Sequence, residues 1–475
     1  MLLFAKDKEF YKKVVKLALP IALQSFVTVA INMLDTNMVS RVSEDALSAT
    51  SLSNSFISIY QILCMGLGMG ASVLVSRFWG LKKTEKGNTP QTARALKQTV
   101  CLMLRLTLIL AAVFAFITFF FPELLMKSYS KDAKIISLGK TYLLWSVPTF
   151  FFLGTSLTST IVLRSVGQVR YPLYVSFGAL GINFLANYAF IFGHFGAPRM
   201  EVAGAALGTL ISRIFECSMI LGYLFFKDKK ILFKIRDLFI SCRSLVREYI
   251  RISIPVLISD GILAFGNNTV AMVIGHLGAT FTAANAITSI TQQLSTVVIQ
   301  GVCQAGAIIT GQTLGKYGKE KTVKQSWLFL GLGLSLGTFA AIFILSLSNT
   351  IIKSYNPSAQ TFTIAQSLML SISIINIFQA TNSIMTKGVL RGGGDTKMLM
   401  VADNCMLWIL SIPLGYLAGF VFHLPAFWIY FFLKIDQVIK TIWCVFRLKS
   451  EKWIKKISTG DTSGIQENKD EDKNR

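Results

Sequence analysis

Apolar runs of roughly 18 residues or more recur from one end of the chain to the other, and no other feature limits its fold so strongly. Wound as a helix, a run of that length crosses a hydrocarbon core of about 30 Å. The runs fall at about 14–40, 46–76, 98–121, 135–163, 171–193, 202–226, 249–275, 281–314, 326–350, 359–389, 398–421 and 425–446. They predict an all-α polytopic membrane protein of twelve transmembrane helices. Composition agrees: 15% of residues are charged, where a soluble domain carries about 25%.

A formal net charge of +23 would suit a nucleic-acid partner if the basic residues were spread evenly. They are not. With crossings alternating from a cytoplasmic N-terminus, only Arg41, Lys127, Lys131, Lys134, Arg199 and Lys353 fall outside. Arg105, Lys140, Arg213, Lys434 and Lys440 fall within spans, and the rest of the 47 Lys and Arg lie on the side of the termini. That bias is the positive-inside rule, which places both termini in the cytoplasm of a multi-pass plasma or inner-membrane protein. The basicity orients the chain and argues against a nucleic-acid partner.

Nothing resembles a cleavable signal peptide, because the first apolar run is too long and lacks a small-residue cleavage site. The seven cysteines (64, 101, 217, 242, 303, 405 and 444) form no CxxC and read as packing residues. The three histidines (194, 276 and 423) are too scattered for a metal site. No Ser/His/Asp set and no close pair of acids points to an enzyme, so neither metal nor cofactor is expected.

The chain also repeats itself. A constant shift of 235 aligns "LPI" (19–21) with "IPV" (254–256), Gly66 with Gly301, Gly80 with Gly315, and "EK" (85–86) with "EK" (320–321). A shift near 227 aligns "LRSVGQVR" (163–170) with "LRGGGDTK" (390–397), and "KSY" occurs at both 127–129 and 353–355. Residues 1–227 and 249–448 therefore read as two copies of a six-helix lobe, joined by a basic cytoplasmic linker at 228–248. Six is even, so both copies enter from the same side and form a parallel repeat. Twinned bundles of this kind characterise transporters, while duplication within a channel or membrane enzyme is the alternative. The polar, charged tail at 449–475 is expected to be disordered and cytoplasmic.

Pro20 and Pro255 sit early in the first span of each repeat, where a missing N–H favours a bend. Gly66, Gly68 and Gly70 in "MGLGMGAS" would let another helix approach closely. Their GxGxG spacing also fits a phosphate loop, but neither a preceding strand nor a GK[ST] is present.

With "LPIALQSFVTVAINMLDTNMVSRVSEDALSA", "SRFWGLKKTEKG", "LRSVGQVRYP", "NFLANYAFIFG", "VAGAALGTLISR" and "VLRGGGDTK" in this order, residues 10–448 resemble MATE, the multidrug and toxic compound extrusion transporters. The resemblance implies two six-helix lobes arranged as a V around a central cavity. It also implies export of lipophilic or cationic drugs and toxic metabolites, by antiport against H+ or Na+. Asp35 matches the aspartate of the family's first helix. In the DinF-like branch that residue works with an asparagine and an aspartate on the fifth helix, which here read Asn183 and Asn187. Thr209 corresponds to that set's threonine on the sixth helix, and Pro20 to the proline at which the first helix is proposed to bend. The acids used by the NorM-like branch are absent, their places reading Leu263 and Ala380. The resemblance is thus closer to the DinF-like branch.

An ionised aspartate at a helix centre costs at least ~2.5 kcal/mol on insertion scales, which makes Asp35 a functional candidate. Spacing of four puts Asn183 and Asn187 on one helix face, where both amides could address it. The alternative is that Asp35, about six residues from the polar "RVSED" turn, simply touches outside water. Arg213 and Glu216 are spaced to pair on one face, more as a structural ion pair than a transport site. Asp260 and Asp403 are further intramembrane charges, Lys434, Asp436 and Lys440 could neutralise one another, and Lys387 and Arg391 read as cytoplasmic turn charges. A monomeric antiporter coupled through Asp35 is the expected function. The rivals are a lipid-linked saccharide flippase, for which Arg105 and Arg213 offer few cationic groups, and a channel or structural membrane protein.

Overall fold

The computed structural model describes residues 7–85, 87–355 and 357–455. Among them no strand occurs, and nine helices are singly long and apolar enough to cross a membrane. These include α1 (Lys8–Ser40), α2 (Glu44–Lys82), α3 (Pro90–Phe120), α5 (Arg170–Phe192), α6 (Val202–Lys227) and α7 (Arg243–His276). Helix α4 is the pair Ala133–Ser146 and Thr149–Ser165, bent by 57° where Pro148 interrupts the hydrogen-bond ladder.

The stretch Ala279–Ser354 hides two crossings. Gly318 takes φ 75° and ψ −165°, outside any helix. Thr313 Oγ1 donates to Gln325 Oε1 at 2.8 Å, although 12 residues of straight helix would separate them by about 18 Å. The chain therefore turns back at Gly318, giving α8 (279–317) and α9 (319–354). Helices α10 (Ala359–Leu390) and α11 (Thr396–Val421) follow. The last span, α12 (426–449), is broken after Leu433. Twelve crossings result.

Helix starts follow local chemistry. Asp7 accepts from Phe10 N at 2.9 Å, Ser43 caps α2 through Ala46 N, and Thr89 caps α3 just before Pro90. Each satisfies a donor that a helix N-terminus would otherwise leave unpaired.

Two apolar cores near the termini join the halves. The start of α1 (Phe10, Val14, Leu17, Ile21) packs into a cluster with α8, α10 and α12. The start of α7 (Leu245, Tyr249, Ile252) packs into a cluster with α2, α3 and α6. At the far end the cores separate: one holds only residues of the first half and the other only residues of the second. The halves thus meet at the terminus end and part at the other.

The meeting surface obeys the repeat. A methyl group on Gly66 would overlap Leu257, and one on Gly301 would overlap Ala22, the pair related to it by the 235-residue shift. Likewise Gly80 abuts the Gln312 carbonyl while Gly315 abuts that of Arg77. Small residues here let helices of opposite lobes touch backbone to backbone.

The segment expected to be disordered from 449 onward starts in order. Trp453 is fully buried against Gly393, and Lys455 N donates to the Gly393 carbonyl at 3.0 Å. An indole offers enough apolar surface to fix a short polar segment. Residues 456–475 of that tail lie outside the described residues.

Candidate functional site

Near the far end of the first lobe, α1, α2, α4 and α6 enclose a cavity of about 650 Å³ lined by Asp35, Asn54, Tyr142, Thr209 and Arg213, among others. Asp35 stands on α1 five residues before its end. Asn187 Nδ2 donates to Asp35 Oδ1 at 2.5 Å and lies 3.4 Å from Asn183 Oδ1. Both asparagines are fully buried. Tyr142 Oη donates to Asn54 Oδ1 at 3.1 Å in the same cavity.

Glycines make this placement possible. A Cβ at Gly204 would strike the Phe190 carbonyl, and one at Gly208 the Asn187 side chain. Helix α6 therefore lies close on α5 and presses Asn187 toward α1. Buried amides cost free energy unless paired. Asn187 Oδ1 and Asn183 Nδ2 have no partner among the described residues, which leaves polar capacity beside the carboxylate.

Thr209 lines the same cavity as Asp35, so the structure brings the four N-lobe candidates together. Pro20 lies inside an uninterrupted α1, and Ala18 and Ala22 on either side of it pack against Gly301 of α8. Arg213 Nη1 pairs with Glu216 Oε2 at 2.6 Å on one helix face. Arg105 is committed elsewhere, its Nε donating to the Leu238 carbonyl at 2.9 Å.

The charges of the second lobe sit apart from Asp35. Asp260 Oδ1 accepts from Arg391 Nη2 at 3.1 Å. Asp403 joins Lys440 at 3.3 Å, and Lys440 also reaches Asp436 at 2.9 Å, all three being buried. Lys434 instead donates to Asn267 Oδ1 at 3.2 Å. Arg391 and Lys387 are not turn charges: Arg391 is 4% exposed, and both line a cavity between the lobes. Helix α10 winds as a π-helix over Ile384–Leu390, a geometry that recurs at functional sites and here carries Lys387.

Sequence reasoning missed Arg164. It is buried near the centre of the molecule, its Nη2 donating to Gln24 Oε1 at 2.6 Å and its Nη1 to Gln304 Oε1. Gln24 Nε2 passes on to Ser176 Oγ at 2.8 Å, so a polar chain links α5, α1, α4 and α8. The signal was present: Arg164 and Arg391 are the arginines matched by the 227-residue shift. No group of His, Cys, Asp and Glu among the described residues could hold a metal ion.

The MatE family model matches residues 20–189 and 255–417, one stretch in each half. A probable multidrug resistance protein NorM of Thermotoga maritima is 26% identical over 455 residues, covering 94% of each chain. Another of that name from Pasteurella multocida is 24% identical over 449 residues, covering 91% of this chain and 92% of its own. A crystal structure of MATE in the bent conformation superposes with a TM-score of 0.82 at 18% identity, covering 93% of this chain and 96% of that one. This last likeness carries the fold.

Proposed function

Because the chain belongs to the MATE family of membrane transporters, we propose that it is a secondary-active antiporter coupled through Asp35, exporting lipophilic or cationic compounds in exchange for H+ or Na+. The observation that carries the reading is the Asn187–Asp35 hydrogen bond at the wall of a 650 Å³ cavity. Such a volume suits a drug-sized ligand. A carboxylate on its wall gives a cationic substrate and a coupling cation the same anion to compete for. The multidrug resistance names of the relatives support the substrate class.

The charge bias puts both termini in the cytoplasm, and on that reading the sealed terminus end and the separated far end fit an outward-facing state. Cation binding at Asp35 cancels the charge that holds Asn187. Release of that tie lets α1 bend at Pro20, and the substrate then loses its site toward the outside. The bend reaches the second lobe through Ala18 and Ala22 on Gly301. Such a cycle turns only if the cation binds the two states with different affinity.

The paired amides at Asn183 and Asn187 favour a DinF-like arrangement. Only one carboxylate is present, and paired anions serve a sodium cage more than a proton site, so H+ is the preferred coupling ion. A flippase for lipid-linked saccharides is not favoured, since Arg105 and Arg213 are already engaged by Leu238 and Glu216.

The test uses the full chain in liposomes loaded with a fluorescent lipophilic cation, under a pH gradient or a sodium gradient alone. Export driven by pH and lost in Asp35→Asn supports the reading. Export of Asp35→Asn at the wild-type rate with unchanged coupling overturns it.

A further inference from the structure

The second lobe contains a differently charged site. A cavity of about 170 Å³ lies among α7, α8, α10, α11 and α12, and a second of about 230 Å³ lies between the lobes. They share Leu263, Asn267, Gln300 and Lys387, so the two lie side by side. The smaller is walled by amides and charges: Gln379, Asn382, Lys434, Asp436, Gln437 and Lys440. The larger is walled chiefly by apolar side chains, including Ile62, Met65, Met69 and Ala264.

Charge counting gives the sign of the missing partner. Asp403, Asp436 and Lys440 form one cluster with a net charge of −1, faced by Lys434 on the same cavity. Asp260 and Arg391 cancel. One cation is left over. Lys387 stands at the junction of both cavities, half-buried, and its ammonium makes no hydrogen bond or ion pair among the described residues. Arg391 commits one nitrogen to Asp260 and leaves its buried Nε–H without a partner. That Nε has no accessible surface, so the unpaired donor that borders the space is the Lys387 ammonium, and an anionic oxygen is the group that satisfies it.

We propose that this space binds the carboxylate of an amphiphilic substrate, with Lys387 as the anchoring cation and the methionine-lined cavity holding the apolar body. Polarity assigns the two ends, the carboxylate to the charged cavity and the apolar body to the one lined by methionines. Asp35 in the first lobe would then serve cationic groups and Lys387 anionic ones. That the ligand is cargo rests on the exporter reading; that it binds here does not.

The test therefore measures binding. Wild type and Lys387→Gln are placed in nanodiscs and titrated by fluorescence polarisation with a rhodamine bearing a free carboxylate and with the methyl ester of the same rhodamine. The expected result is that Lys387→Gln weakens the free acid at least about tenfold more than the ester, the scale of one charge-assisted hydrogen bond. Lys387→Arg keeps the wild-type preference. Because Lys387 makes no hydrogen bond or close ion pair among the described residues and Asp260 keeps Arg391, the variant should fold, and Lys434→Gln serves as a second probe that weakens the acid less. Equal effects on acid and ester, or no binding of the acid to wild type, overturn the proposal. So does displacement of the acid, but not of the ester, by added short-chain phosphatidylglycerol and not by short-chain phosphatidylcholine, which would assign the site to an anionic lipid. Failure of export with intact acid binding would count against the exporter reading alone.

Discussion

Asn187 on α5 holds the Asp35 carboxylate of α1 at 2.5 Å across 152 residues of sequence. A charge-assisted hydrogen bond is worth roughly 1.5–3 kcal/mol, and here it joins a buried amide to a half-buried carboxylate. Replacing Asn187 by leucine should therefore lower the thermal stability measurably and uncouple export from the ion gradient. Asn187→Asp tests the site's chemistry from the other direction. A second carboxylate beside Asp35 should create a Na+-dependent rise in Tm that wild type lacks. A calorimetric scan with NaCl against choline chloride reads it directly, and no sodium dependence in Asn187→Asp would refute this account of the site.

Symmetry at the lobe junction supplies a second prediction. Gly80 touches Gln312 as Gly315 touches Arg77, and both contacts are with carbonyl oxygens that cannot rotate away. Gly80→Ala and Gly315→Ala should each destabilise the sealed terminus end, by the ~1–3 kcal/mol typical of overpacking. The two effects should be similar, because the two environments are copies. Tm values for the single variants decide this, and a large inequality would mean that the repeat does not extend to energetics.

Much of this architecture was legible in the sequence, for physical reasons. Apolar length encodes a crossing residue by residue, so the twelve spans could be read locally, including the pair hidden by Gly318. The matched glycines were visible as well, though only the structure assigns them to the lobe junction. Pairings across large separations were less legible. Lys440 with Asp436 is an i,i+4 contact on one helix, whereas Asp403 joins them from α11. Arg164 and Arg391 looked like loop charges because each closes an apolar run, where a basic residue ordinarily meets cytoplasmic water. Depth along a helix says nothing about whether a neighbouring lobe covers its end. Trp453 was overlooked for the opposite reason, as one apolar residue among many charges.

Lys440 bridges Asp403 and Asp436, and all three are at most 3% exposed. Removing one member of such a cluster leaves buried charge uncompensated, which costs about 3–5 kcal/mol. Lys440→Met should fold poorly. Adding Asp403→Asn and Asp436→Asn removes the stranded charges and should recover much of the loss. Monodispersity and Tm of the single and triple variants measure the coupling, and a triple variant no better than Lys440→Met would contradict it.

The segment between the lobes is pinned by an acid outside the membrane. Burial raises the Asp237 carboxyl, but the Lys97 ammonium at 2.8 Å and the Lys234 N–H at 2.8 Å outweigh it and hold the group below its ordinary value. A carboxyl depressed in the folded state contributes its stability in full above the unfolded value of about 4. That contribution fades as pH falls through the folded value. Limited proteolysis of residues 228–242 should therefore be slow at pH ~7 and accelerate only in acid below about pH 4. Asp237→Asn should be cleaved faster already at neutral pH. Equal cleavage of variant and wild type at neutral pH would show that the pair does not restrain this segment.

The end of the described chain ties both lobes together. Trp453 is fully buried among residues of α8, α10 and α12, Arg447 and Lys455 both reach Asp395, and Arg77 of α2 donates to the Lys455 carbonyl at 2.5 Å. Trp453→Ala deletes the anchor and leaves a cavity, a change that costs about 3–5 kcal/mol where the surroundings cannot collapse. Gly393 is fixed beside the indole ring, so collapse is restricted. With the anchor gone, the Lys455 carbonyl no longer meets Arg77, and the terminus end loses one of its ties between lobes. Trp453→Ala should then lower Tm and speed proteolysis after Lys449, while Trp453→Phe, which keeps an aromatic ring, should recover part of both. If Trp453→Ala melts like wild type, the segment decorates the fold without holding it.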